Sequence, residues 1–375
     1  MSTTSTLHAV PARSHPAIRR AFAQARRDSK ARHRDIAESL SISEGELIAA
    51  HVGMPSAAAS SDSPMRARRL RGPWPAVIEA LEPVGEVMAL TRNASCVHEK
   101  TGVYREASHN GNVGLVPGGA IDLRVFYDRW AHGFAVEEAI ETGTQRSLQF
   151  FDAAGVAIHK VFQRDASDAD AWRSFVDAHS DDAQAPGIST EPIAAPDAET
   201  PDAQIDVAAF RDAWAAMNDT HEFFGLLRRH GVTRTQALRL ADSRFAHPAP
   251  AALVERVLNE AARDGVAIMV FVGNRGMIQI HSGPVQRVVS MGPWLNVLDP
   301  GFNLHLRSDH VERAWVVRKP TSDGIVTSLE LFDAYGETIA MFFGERKPGR
   351  PELPAWRELI ERSNAASAQG VSCAA

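Results

Sequence analysis

The chain has 375 residues, 44% of them hydrophobic and 23% charged, with 40 Lys and Arg against 46 Asp and Glu and a formal net charge of −6. That length predicts two domains and a fraction, and the mild acidity argues against a protein that wraps nucleic acid. Two cysteines, Cys96 and Cys373, exclude a disulfide framework or a four-thiolate metal site.

No run approaches the roughly 18 apolar residues of a membrane helix. Met1 to Pro16 lack the apolar stretch of a secretory signal, so a reducing, cytoplasmic setting is expected. Residues 1–33 read as a disordered basic N-terminus, Ser/Thr-rich at its start. Residues 35–50 read as helix, turn, helix, with Ser43 as N-cap and Glu46 completing a capping box. Such a shape invites a DNA-binding reading. The helix after the turn, Glu-Gly-Glu-Leu-Ile-Ala-Ala at 44–50, is acidic where a recognition helix carries donors. Residues 34–75 are therefore expected to cap the first domain, and no stable nucleic-acid partner is expected.

Residues 34–180 and 207–363 repeat each other. Met88, Asn93 and Gly102 recur as Met269, Asn274 and Gly283, always 181 positions on. Ser147-Leu-Gln-Phe-Phe-Asp-Ala-Ala-Gly155 recurs at the same shift as Ser328-Leu-Glu-Leu-Phe-Asp-Ala-Tyr-Gly336, and Phe162 as Phe343. A constant shift over so many positions is the mark of a duplicated domain. Each copy alternates short β-rich runs (87–90, 121–126, 147–151, 157–161; then 267–272, 277–280, 302–306, 314–317, 328–332, 338–342) with turns. Helices are expected at 74–81, 208–230 and 250–264 and at the two copies' ends around Trp172 and Trp356. The fold class is α+β, an internal duplication whose halves each carry a large antiparallel sheet flanked by helices. Between the copies, residues 181–206 hold seven acidic residues, no Lys or Arg, four prolines and no aromatic, so a solvated linker is expected. Residues 364–375 read as a flexible tail.

There is no GxGxxG after a strand, P-loop, HExxH, GxSxG or covalent haem motif. One histidine stands out. Phe210, Trp214, Met217, His221 and Phe224 fall at i, i+4, i+7, i+11 and i+14, one face of a helix. Taken alone, His221 reads most simply as a boundary histidine bonded to a carbonyl. A neutral imidazole among Phe and Met also suits haem iron, and Arg228, Arg229 and Arg234 follow as cations for propionates.

The stretch from Trp214 to Arg234, WAAMNDTHEFFGLLRRHGVTR, resembles the haem-ligand helix of the HemS/HmuS/ChuS family of haemin transport and haemin-degrading proteins. Val-Met-Ala-Leu-Thr-Arg-Asn at 87–93, Ile-Asp-Leu-Arg at 121–124, Ile-Met-Val-Phe-Val-Gly-Asn-Arg-Gly at 268–276 and Arg-Lys-Pro-Thr at 318–321 agree with it. The resemblance spans roughly 34–361 and implies one non-covalent haem b in a cleft contacted by both halves. It assigns His221 as proximal iron ligand, Arg124 as the distal-side arginine (catalytic, if the protein is an enzyme), Arg234 as a pocket arginine, Phe271 as an aromatic against the macrocycle, and Lys319 and Arg346 as basic cleft residues. Read from spacing alone, Arg124 is a cation on a sheet face, and Lys319 and Arg346 are solvated strand ends. The family often has Tyr where Phe343 stands, and Arg124 meets His305 in the other copy, which favours one haem per chain.

The implied partners are haem, an importer on the cytoplasmic face of the inner membrane, a haem oxygenase or electron-donating reductase, and a second copy as homodimer. Two functions stay open: a carrier that hands haem on, or an enzyme that opens the porphyrin and frees iron.

Overall fold

The computed structural model describes residues 14–54, 63–117, 119–193, 198–346 and 349–372. Three helices, α1 (His15–Asp28), α2 (His33–Ser39) and α3 (Glu44–Ala49), precede β1 (Met65–Leu70) and α4 (Trp74–Glu79). A meander follows: β2 (Gly85–Arg92), β3 (Cys96–Gly102), β4 (Ser108–Asn110), β5 (Val113–Val116), β6 (Asp122–Phe126), β7 (His132–Ile140), β8 (Gly143–Phe151) and β9 (Ala157–Ser167), closed by α5 (Ala169–His179). The second half opens with α6 (Val207–Ala215), α7 (Glu222–His230), α8 (Arg234–Leu240), β10 (Ala246–Ala249) and α9 (Leu253–Asp264). It continues through β11 (Ile268–Asn274), β12 (Met277–Gly283), β13 (Val288–Met291), β14 (Trp294–Asp299), β15 (Phe302–Arg307), β16 (Arg313–Thr321), β17 (Gly324–Phe332) and β18 (Thr338–Gly344), and ends in α10 (Pro354–Ser372).

The duplicated hairpins form as their turn chemistry requires. Asp152 Oδ1 accepts the N–H groups of Ala154 and Val156, and Asp333 Oδ1 those of Tyr335 and Glu337. Gly155 and Gly336 sit at φ 76° and 81°, which L side chains seldom adopt.

The strands form two nine-stranded sheets, and the halves trade strands between them. The first sheet runs β1-β7-β8-β9-β2-β3-β15-β14-β13, and the second β10-β16-β17-β18-β11-β12-β6-β5-β4. Each sheet therefore takes six strands from one half and three from the other. Among the described residues the pairings between these strands are antiparallel. Two asparagines related by the repeat fasten the exchange. Asn93 Nδ2 donates to the carbonyls of Gly273 and Ile339, and Asn274 Nδ2 to those of Arg92 and Ile158.

Along each strand side chains alternate between faces. The inner face of the second sheet (Val270, Val272, Val316, Leu329, Leu331, Phe342) packs with α9, α10 and the β14–β15 residues borrowed into the other sheet. The corresponding face of the first sheet packs with α4 and α5 and with Leu123 and Val125 of β6. The opposite face of each sheet is partly covered by its own N-terminal helices, α1–α3 on the first and α6–α8 on the second.

Three expectations about the ends and the junction need correction. Residues 15–28 are helical rather than disordered, because Ile18, Phe22 and Ala23 bury themselves in the α2–α3 core; residues 1–13 lie outside the described part. The junction is strapped to the body rather than free. Arg69 Nη2 donates to the carbonyls of Ala185 and Gly187, Gly187 N–H donates to Ala49, and Gln236 Nε2 donates to Thr200 and Asp202. Of its acidic side chains, Glu199 and Asp202 pair with Arg239 of the second half, at 3.2 and 2.9 Å. The tail is helical through Ser372 as the continuation of α10. The capping box at Ser43 and Glu46 forms as expected. Among the described residues no helix is long and apolar enough to cross a membrane.

Candidate functional site

The register of the second sheet collects the sequence-predicted sheet residues on one face. Arg124 pairs with Ile278, Ile280 with Phe271, Phe271 with Met341, Met269 with Phe343, and Met341 with Glu330. Directly paired residues share a face, so Arg124, Ile278, Phe271, Met269, Met341, Phe343 and Glu330 all look the same way. Met269, Phe271, Ile278, Met341 and Phe343 are each only half-buried. Phe271 and Phe343 meet edge to face at 4.9 Å. Strands lie about 4.8 Å apart, so β18, β11 and β12 offer an apolar floor roughly 10–14 Å wide. Contiguous apolar surface of this kind marks a binding site more often than chance.

Helix α7 stands at one edge of this floor, and Phe223 fixes it there. Its ring is covered by Lys319 Nζ at 4.5 Å and by the Arg234 guanidinium at 5.1 Å. Both cations converge on the fully buried Glu330. Lys319 Nζ donates to Oε1 at 2.8 Å and Arg234 Nε to Oε2 at 2.8 Å, and Ser328 Oγ adds a third bond at 2.9 Å. Burial pushes the Glu330 carboxyl up, but Arg234 and Lys319 override it and hold it well below the usual carboxylate range. Lys319 is 5% exposed, so the solvated strand end expected from its place before a proline is wrong: it points inward, where Glu330 offsets the cost of burial. Two cations against one carboxylate leave a local excess of one positive charge.

The continuous helix expected over 208–230 does not form. α6 ends at Ala215 and α7 begins at Glu222. The chain leaves the helix at the Ala216 cap, and in the turn that follows Asp219 Oδ1 accepts the main-chain N–H of His221 at 2.8 Å, a local bond in place of a helical one. Phe210, Trp214 and Met217 are buried as the stripe predicted, but Phe223, not Phe224, continues it, and Phe224 is 67% exposed. His221 therefore sits at the N-cap of α7 with its side chain 91% exposed rather than inside an apolar stripe. Its Nδ1 bonds Asp219 Oδ1 at 2.7 Å. Among the described residues Nε2 has no hydrogen-bond partner. Arg346 lies near enough to help depress the Asp219 carboxyl, behind the bonds from His221 itself, and is paired with Asp323 at 3.8 Å.

Arg124 lies beyond the other edge of the floor. Its Nη1 is held by Asp122 and by the carbonyl of Leu123. Arg124 comes from the first half but belongs to the second sheet, so the strand exchange is what delivers it to this face. The sequence reading missed Asp219, Phe223, Glu330 and Met341, whose Sδ lies 3.1 Å from Arg234 Nη2. Glu330 left a trace in the repeat, since the other copy has Gln149 at that position.

The equivalent face of the first sheet is built differently. Ile280, Met341 and Gly273 are replaced by Glu99, Lys160 and Arg92. Glu44 from α3 pairs with both Lys160 and Arg92 at 2.5 Å. Burial raises the Glu44 carboxyl, yet Lys160 and Arg92 bring it down to about 2. A committed ion cluster stands where the second sheet has its apolar floor. Two surface cavities, about 370 and 500 Å³, lie elsewhere, around Arg66 and Trp172 and around Arg239 and Tyr335. Neither includes His221 or Arg124, and the half-buried floor residues make the site an open face. Among the described residues there is no group of three or more His, Cys, Asp or Glu able to hold a bare metal ion. A lone exposed imidazole on the helix at the edge of an apolar floor suits an iron that brings its other ligands in a flat macrocycle.

Known proteins resemble this chain over nearly its whole length. The model of the haemin-degrading HemS.ChuX domain matches residues 41–179 and again 231–363, one match in each copy. The haemin transport protein HemS of Yersinia enterocolitica is 39% identical over 345 residues, 92% of this chain and 96% of that protein. Holo-PhuS, a haem-binding protein from Pseudomonas aeruginosa, superimposes with a TM-score of 0.88 at 47% identity, covering 93% of this chain and 99% of that one. The haem-degrading enzyme ChuS of Escherichia coli O157:H7 superimposes with a TM-score of 0.83 at 37% identity, over 93% and 99% of the two chains.

Proposed function

This chain belongs to the haemin-degrading HemS.ChuX domain family, and from that premise we propose that it binds one haem b, non-covalently, on the open face of the second sheet. The observation that carries the reading is the half-buried apolar floor with an unengaged imidazole nitrogen at one edge and an arginine at the other. His221 Nε2 ligates the iron, and Phe271, Phe343 and Met269 support the ring. Arg234 and Arg346 face the propionates, and the buried Lys319 shares Glu330 with Arg234 so that a positive excess remains behind them. Arg124 stands on the distal side, where it orients water or another small ligand. The first copy, with its floor replaced by the Glu44 cluster, takes none.

The protein's role is to receive haem on the cytoplasmic side of a membrane importer and to pass it on or to release its iron. Haem supplies iron redox chemistry, and the chain supplies ligation, orientation and a distal donor. A haem oxygenase or an electron-donating reductase is the partner each branch requires, and a homodimer is the assembly proposed.

Titrating the pure protein with haemin tests the reading. One equivalent should develop a Soret band, and His221→Ala should shift or weaken it; an unchanged spectrum in that variant would overturn the ligand assignment. Adding an electron donor under oxygen with catalase present separates the branches. Loss of the Soret band with iron release marks an enzyme, and its persistence marks a carrier.

A further inference from the structure

We propose that Asp219 is the positioning residue for His221, setting which ring nitrogen faces the iron and how strongly it donates. The inference rests on the reading of His221 as the haem ligand and deepens it.

A single oxygen, Asp219 Oδ1, accepts two bonds from the same residue: the main-chain N–H of His221 at 2.8 Å and its ring Nδ1 at 2.7 Å. The first bond makes the turn between α6 and α7. The second ties the ring to that turn, so backbone and imidazole are fixed from one point. An ionised carboxylate only accepts, so Nδ1 carries the proton and Nε2 keeps its lone pair. Nε2 is also the ring nitrogen without a partner among the described residues. The exposed histidine thus has one tautomer and one usable nitrogen, although no core packing holds it.

The residues on either side could not serve in this way. Thr220 and Glu222 make no bond to the ring, and the Arg346 guanidinium cannot accept a proton. Arg346 instead lies close to Asp219 and is itself held by Asp323 at 3.8 Å. A carboxylate behind a ligating imidazole makes the ring more basic and fixes its orientation, and loss of such a partner typically weakens metal affinity roughly 10–100-fold. A more basic axial nitrogen favours the ferric state, so the site is tuned to hold haem in its oxidised form.

The test uses the full chain loaded with haemin, comparing wild type, Asp219→Asn, Asp219→Ala and His221→Ala. Asparagine retains an acceptor for the main-chain N–H, so the turn is preserved and the ring's partner becomes neutral. The readouts are the ferric/ferrous midpoint potential, the iron–histidine stretch of the reduced protein by resonance Raman, and the rate of haem loss to an acceptor protein. Asp219→Asn is expected to raise the potential and lower the stretching frequency. Asp219→Ala should do so further, with haem loss faster by roughly 10-fold or more. His221→Ala should abolish the stretch. If both Asp219 variants keep the wild-type potential and stretch while His221→Ala loses it, Asp219 merely shapes the turn and the proposal falls with the ligand reading intact. If His221→Ala keeps the stretch, the ligand reading itself fails and takes the proposal with it.

Discussion

Glu330→Gln removes one charge and almost no volume, and it converts the site to the residue the other copy carries as Gln149. In the native protein Glu330 is 0% exposed and accepts bonds from Lys319, Arg234 and Ser328. The substitution leaves Lys319, itself 5% exposed, without a counter-charge, and Arg234, 26% exposed, with only a neutral acceptor. Breaking a buried pair by removing one partner costs about 3–5 kcal/mol. At ~2 °C per kcal/mol for a chain of this size, the melting temperature of the haem-free protein at pH 7 should fall by about 6–10 °C. The assay is thermal melting followed by far-UV circular dichroism. Because the folded carboxyl lies below its unfolded value of about 4.3, its contribution is complete above that pH and fades as pH falls toward the folded value. The gap between variant and wild type should accordingly narrow below about pH 4. Adding Lys319→Met should restore at least half of the loss, since the remaining Arg234 can turn to solvent. A single variant within about 1 °C of wild type, or a double variant less stable than the single, would refute the charge-balance reasoning.

Asn93→Ala should lower stability by about 1–3 kcal/mol, because it strips a donor from the carbonyls of Gly273 and Ile339 in the opposite half; a urea midpoint unchanged from wild type would remove the asparagine from the interlock. Cys96 is 1% exposed and burial pushes its thiol well above the usual range. A Cys373→Ser variant should therefore show no thiol reactive toward a disulfide reagent until it is unfolded, and prompt labelling of the native variant would contradict that burial.

Much of the fold could be read in the sequence because the duplication multiplied weak signals. The hairpin at Asp152–Gly155 is modest evidence by itself, but its repetition at Asp333–Gly336 makes it firm. The strand exchange was not legible: β3 pairing with β15 instead of a strand of its own half is a long-range contact that leaves no local pattern. At the site, apolar periodicity placed Phe210, Trp214 and Met217 correctly and then carried the helix too far. The chain turns after Ala215, and there Asp219 bonds the His221 N–H locally, a contact that apolar periodicity does not register. Lys319 was misread because a neighbouring proline signals a strand end, while Glu330, the partner that draws it inward, lies eleven residues away on the next strand. Charge pairs between strands are visible only once register is known.

The exchange of three strands each way also bears on how the two copies came to differ. Two separate identical chains joined by the same exchange would be bound by their symmetry, so any change to one open face would appear on both. Joining the copies in one polypeptide lifts that restriction. One face can then keep Ile280, Met341 and Gly273 while the other accepts Glu99, Lys160 and Arg92 and closes over with Glu44. Arg124 and His305 can diverge in the same way, each serving the sheet it was lent to. A covalent link of some two dozen residues thus turns an architecture that must duplicate its sites into one that can keep a single site and use the other copy as its frame.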